Sequence, residues 1–206
     1  MRIVRGVPGY FKVKLMKKYY SIIFLLLLAK FAVAENNYEC TYLQSARQDL
    51  VSEEHCLTYT EGIRNSITGG DAFVSEKVAA TALYDKNGLS YLFSNVGIFY
   101  FTKSGLARRA LTYDNGPDYF KNGLARTKWN EKIGFFDHQL SIVIDPKYDF
   151  AFPFMAGISR VCMGCRPKKD GEHTEIIGGK WGAINLKGEI VHPIIYSKPE
   201  LERKLK

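Results

Sequence analysis

One short phrase recurs along this 206-residue chain: Gly88-Leu89-Ser90, Gly123-Leu124-Ala125 and Gly157-Ile158-Ser159. Each opens a stretch that reaches a second glycine, in Val96-Gly97, Ile133-Gly134 and Trp181-Gly182. By subtraction, the opening glycines stand 35 and 34 positions apart. A period of this length belongs to repeat architectures, in which each unit is one supersecondary element that buries its apolar face on its neighbours. Such arrays more often bind than catalyse.

Within the units the pattern is that of short strands. Unit one offers Leu89 to Phe93 and Ile98 to Phe101 after the turn Asp85-Lys86-Asn87-Gly88. Unit two offers Leu124 to Trp129, Ile133 to Asp137 and Ser141 to Ile144, with Asp145-Pro146 expected to end the last strand because proline cannot donate to a ladder. Unit three offers Ile158 to Val161, Trp181 to Asn185 and Glu189 to Val191, with Asn185-Leu186-Lys187-Gly188 as a hairpin turn. The fold class is therefore all-β: three-stranded antiparallel meanders that stack, over about 81–119, 120–153 and 154–196. From first to second glycine the distance is 9, then 11, then 25 positions, so unit three carries about 14 extra residues between Cys162 and Gly179. Insertions of this kind map to loops on one face, often the working face.

The N-terminus reads as a targeting segment. Lys12, Lys14, Lys17 and Lys18 precede the apolar run Ile22 to Ala29, and Ala32-Val33-Ala34 supplies a cleavage signal. Basic, apolar, small is the order of a secretory signal peptide, assigned to residues 1–34 with Met16 as the natural start; a retained N-terminal anchor is the alternative. Of the 29 basic residues, seven lie in this segment (Arg2, Arg5, Lys12, Lys14, Lys17, Lys18, Lys30), as do none of the 21 acidic ones. The remaining 22 against 21 leave no basic domain, which excludes nucleic acid as the expected partner. Stable membrane insertion after cleavage is not expected either. The expected location is the bacterial periplasm or the outside of the cell.

Residues 35–80 carry no copy of the repeat and are read as an N-terminal cap, with Glu39 to Leu57 open between a helix and a hairpin. Cys40, Cys56, Cys162 and Cys165 form an even set in an exported chain, which reads as disulfides. Of the three possible pairings the local one, Cys40–Cys56 with Cys162–Cys165, is expected, and it staples the cap. Residues 197–206 read as a charged tail.

Lys128-Trp129 with Lys132-Ile133-Gly134-Phe135-Phe136-Asp137, and Gly179-Lys180-Trp181-Gly182-Ala183-Ile184-Asn185, resemble the WG-repeat family. The shared pattern is the Gly-Leu-Ala opening, then K-x-G-[FYA]-[IF]-[DN], then a strand ending at Asp/His-Pro. Asp114-Asn115-Gly116-Pro117-Asp118-Tyr119-Phe120 and Pro153-Phe154 resemble the approach to each unit in exported members. The resemblance covers roughly 81–196, with Val96-Gly97 and Ile133-Gly134 departing from the Trp-Gly pair. It implies modules that mediate binding, with no catalytic residues.

Cys162-x-x-Cys165 is the sharpest chemical signal. It is expected to be a structural disulfide, because Arg166-Pro167 follows and no helix N-terminus is present to activate a thiol. The alternatives are a thiol-disulfide redox pair, or a metal site completed by His173. Asp114, Asp118, Asp137, Asp145 and Asp149 sit in turns and at strand ends, where aspartate caps backbone amides; none is assigned to glycosidase chemistry. No nucleophile elbow, phosphate loop or cofactor motif is present, so no cofactor is expected. Phe150, Phe152 and Phe154 alternate as one inward strand face would. Tyr113 and Tyr119, beside Asp114, Asn115 and Asp118, form the candidate binding surface for a peptide, an envelope protein or a glycan.

Overall fold

The structure, a computed structural model, describes residues 36–59 and 71–206. The expected signal segment, residues 1–34, lies outside the described residues, as do residues 60–70 of the cap segment.

β1 (Asn36–Gln44) and β2 (Asp49–Tyr59) pair as an antiparallel hairpin. The alternation that decides it is Cys40 and Tyr42, two positions apart and each 1% exposed. A bulge between Tyr38 and Cys40 and a left-handed His55 (φ 52°) turn Cys56 inward, where it joins Cys40 across a Cα separation of 6.0 Å. β3 (Ala72–Val74) is followed by α1 (Glu76–Thr81), capped by the Ser75 hydroxyl on the Val78 amide. Unit one is the meander β4 (Leu89–Ser94), β5 (Gly97–Thr102) and β6 (Leu106–Ala110). These strands do not stack beside the N-terminal segment as a separate layer. They close with it into a barrel of order β1-β2-β3-β6-β5-β4, filled by Tyr42, Leu57, Leu92, Phe99 and Phe101, with Val78 of α1 in the same core.

The small hairpin β7 (Thr112–Tyr113) and β8 (Gly116–Pro117) leads into unit two: β9 (Ala125–Trp129), β10 (Lys132–Phe136) and β11 (Ile142–Tyr148). β12 (Phe150–Ala151) then pairs with unit three: β13 (Ile158–Asp170), β14 (His173–Asn185) and β15 (Ile190–Tyr196). Each unit is thus an antiparallel meander, as expected. Turns recur because their chemistry is local: Asp137 and Asn185 each accept two backbone amides with Oδ1, from Gln139 and Ser141 and from Lys187 and Glu189.

Proline does not end β11 or β15. Ile133 pairs with Tyr148 and Phe135 with Ile144, so Asp145, Pro146 and Lys147 bulge opposite Gly134 alone. Trp181 pairs with Tyr196 and Ala183 with His192, so Pro193, Ile194 and Ile195 bulge opposite Gly182. The bulge accommodates a residue that has no amide to offer. It also explains the second glycine. A Cβ on Gly134 would overlap the Ile144 carbonyl and lie 2.5 Å from Pro146 N, and one on Gly182 would lie 2.6 Å from the His192 carbonyl oxygen.

This geometry corrects the alignment of unit one. The two-residue turns Asn95-Val96 and Asn130-Glu131 correspond, since Ser94 pairs with Gly97 and Trp129 with Lys132. Gly97 therefore matches Lys132, and the position of Gly134 is taken by Phe99. Phe99 is fully buried in the barrel, and β6 passes it in unbroken register. Gly88 to Phe99 spans 11 positions, the spacing of Gly123 to Gly134.

The units meet through apolar layers. Leu89, Ala125, Phe136 and Leu140 join units one and two; Leu124, Ile133, Phe135, Phe154 and Ile184 join units two and three. Residues 197–206 are not a free tail. α2 (Lys198–Lys204) starts with Glu200 accepting from the Ser197 hydroxyl and from the Ser197 amide, each at 2.7 Å, which together hold its carboxyl below the usual glutamate value. It lays Leu201, fully buried, on Trp181, while Ile133 at the matching site of unit two is covered by unit three.

A buried ion pair lies where the chain enters unit two. Arg126 donates to Asp118 through Nε at 3.0 Å and through its terminal nitrogen at 2.6 Å, and to the Ala151 carbonyl at 2.9 Å. Asp118 is 1% and Arg126 7% exposed. In unit three the same offsets from Gly157 give Phe152 and Arg160, whose guanidinium sits 4.1 Å over the Phe152 ring and pairs with Glu202 at 3.2 Å.

Two outcomes are expected. Gly134→Ala should lower stability by roughly 2–3 kcal/mol in urea unfolding, because only backbone surrounds the added carbon; Gly116→Ala, with nothing within 4 Å, should be silent. Arg126→Leu should cost about 3–5 kcal/mol by stranding a buried carboxylate, and Asp118→Leu in the same chain should recover most of that loss.

Candidate functional site

The insertion of unit three is neither a loop nor a turn before a strand. Met163 pairs with Lys180 where unit two pairs Trp129 with Lys132, so residues 164–179 stand in place of a two-residue turn. They continue β13 and β14 in one register, from Cys165 opposite Gly178 to Asp170 opposite His173. The result is a two-stranded arm. β12 reaches β13 only at Val161 and Cys162, and β15 reaches β14 no further than Trp181, so both edges of the arm run unpaired.

The base of the arm is held from several sides. Cys162 and Cys165 are joined, with Cα atoms 6.2 Å apart, and both sit in β13 among Trp181, Phe150, Phe152 and Leu201. Gly179 passes so close that a Cβ there would lie 2.7 Å from Cys162 Sγ. Asp149 accepts the Gly164 amide at 2.6 Å with one oxygen and pairs with Lys132 through the other. Those two bonds, the lysine first, hold the Asp149 carboxyl below the ordinary aspartate value. The sequence treated Asp149 as a turn residue; its partner Gly164 lies 15 positions away across two strands.

Of the candidate binding residues, Tyr113, Asp114, Asn115 and Tyr119 come together and Asp118 does not. Asp114 and Asn115 form the β7–β8 turn. Tyr113 and Tyr119 are 49% and 54% exposed and meet edge to face at 5.8 Å. Asp118 points the other way, into the pair with Arg126, which leaves it no oxygen for a ligand. The aromatic run splits likewise. Phe150 and Phe152 touch Trp181, whereas Phe154, beyond Pro153, packs on Phe135 at 4.8 Å. A groove of about 450 Å³ lies between Lys121, Met155, Arg160 and Leu205, and no sequence signal marked it.

The metal alternative fails on geometry: Cys162 and Cys165 are bonded to each other, and His173 stands at the arm's tip. The redox alternative gains nothing, since Cys162 is fully buried under Trp181. Among the described residues no helix is long and apolar enough to cross a membrane, and the two disulfides are consistent with an oxidising, non-cytoplasmic setting.

Because Asp149 has a lowered pKa in the fold, its contribution is present above the unfolded value near ~4 and is lost as pH falls through the folded value. The protection factor of the Gly164 amide, its exchange relative to a free peptide at the same pH, should therefore be high at neutral pH and fall in acid; Asp149→Ala should abolish the protection at every pH.

Residues 133–164, from β10 through the start of the arm, match the family model described as the WG containing repeat. No curated protein and no solved structure matches the chain. The resemblance read from the Gly-Leu-Ala openings and the K-x-G segments is borne out across that stretch: residues 133–164 carry a WG containing repeat.

Proposed function

We propose that this chain is an exported, non-catalytic binding module that works in the periplasm or outside the cell. The observation that carries this reading is the arm: a ribbon with two unpaired edges, anchored at its root by a disulfide, a carboxylate and an aromatic cluster. A rigid root with open edges suits capture of another chain by strand addition. The exposed Tyr113–Tyr119 pair offers a second contact of the flat, amphipathic kind that suits a peptide or a sugar. The partner class is an envelope protein, a peptide or a glycan.

Unit two supplies the template for the test. Residues 164–179 are replaced by an Asn-Gly turn, with Cys162→Val, so that Met163 and Lys180 close a short hairpin. Pull-downs from envelope extract compare this chain, Tyr119→Ala and the parent. The expected result is a partner retained by the parent, lost without the arm and weakened by Tyr119→Ala, with unchanged circular dichroism. Identical captures by all three chains would overturn the reading.

A further inference from the structure

The outer edge of β13 has a definite polarity, which names a partner for the arm. The backbone carbonyls of Arg160 and Cys162 accept from Phe152 and Asp149, so these residues turn their peptide groups away from β14. Gly164, two positions on, does the same, and its amide finds no strand but the side chain of Asp149. By the same alternation Arg166, Lys168 and Asp170 carry the next outward amides and carbonyls, beyond the end of β12. Two of these three side chains are basic, and Asp170 at the tip end is acidic. Arg166, Lys168 and Lys169 are exposed, and among the described residues none has an ion-pair partner, although Lys168 stands in register with Glu175. Pro167 falls on the inward position, so the outer row keeps its donors.

We propose that the edge of β13 from Gly164 to Asp170 receives an extended acidic segment of a partner protein, added antiparallel to β13 in line with β12. The occupant is identified by charge complementarity with Arg166 and Lys168, the unpaired cations of the outward row. Asp149 is its precedent within the chain: a carboxylate already completes the first outward amide past β12. Main-chain hydrogen bonds supply the pairing, and carboxylates two positions apart on the segment face Arg166 and Lys168. This inference rests on the binding reading above and narrows it to one edge and one partner chemistry.

The test uses the full chain with both disulfides intact and a fluorescein-labelled hexapeptide of alternating Glu and Val, followed by anisotropy. Two further probes replace Glu by Lys, or carry N-methyl groups on alternate residues to remove the pairing donors. The Glu-Val peptide should bind, with affinity falling as salt rises, and both other probes should bind about tenfold or more weakly. Arg166→Glu with Lys168→Glu, at exposed positions, should leave the near-ultraviolet circular dichroism unchanged and invert the preference toward the Lys-Val peptide. Equal binding of the N-methylated probe would reduce the effect to charge and overturn strand addition; equal binding of the Lys-Val probe would overturn the acidic partner. If the arm-dependent capture of the pull-down succeeds while no Glu-Val binding is seen, this inference falls and the binding reading stands. Absence of both removes both.

Discussion

The contact on which the array depends is a close approach of two backbones, with a glycine on one side and a proline bulge on the other. At Gly134 and at Gly182 the third strand of the unit swells by two residues and presses its peptide groups onto a strand that has no side chain there. A bulge bends its strand and increases its twist. β11 and β15 therefore leave their partners at an angle, and the residues that follow are delivered to the next layer: Tyr148 into the core shared with unit three, Tyr196 against Trp181 and α2. Glycine and proline lie far apart in sequence and form one device in space.

The units also show how a repeat keeps its outline while exchanging its interactions. One site is an ion pair of Arg126 with Asp118 in unit two and a stack of Arg160 on Phe152 in unit three. Another is an empty glycine in units two and three and a buried phenylalanine in unit one. That last exchange has an architectural result. With Phe99 filling the space there is no room for a bulge, β6 runs straight, and the sheet closes on the N-terminal hairpin instead of tilting toward a neighbour.

Much of this was legible in the chain because it is local. Turn chemistry at Asp85, Asp137 and Asn185 marks strand ends, and the two disulfides follow the nearest spacing. Closure of the barrel was not legible: it rests on β1 with β4 and β3 with β6, pairings without a short-range signal. Asp118 misled for a related reason. Its neighbours Asp114, Asn115 and Tyr119 are exposed turn residues, and only the phenylalanine at the matching offset in unit three hints that the position faces inward. The basic edge of the arm was hidden by calling the insertion a loop, since a loop has no inside or outside and a strand does.

The arm has a consequence for how such chains diversify. It stands where unit two has a hairpin tip, and the paired strands below it share that unit's register and buried faces. Adding residues in equal numbers to both sides of a tip preserves which side chains face in, so length there is nearly decoupled from the core. Each unit has such a tip, at Asn95-Val96 and Asn130-Glu131 as much as at Gly171-Glu172. The array is then a rack of hairpins whose reach is set one by one, by extending a tip rather than by rebuilding a surface.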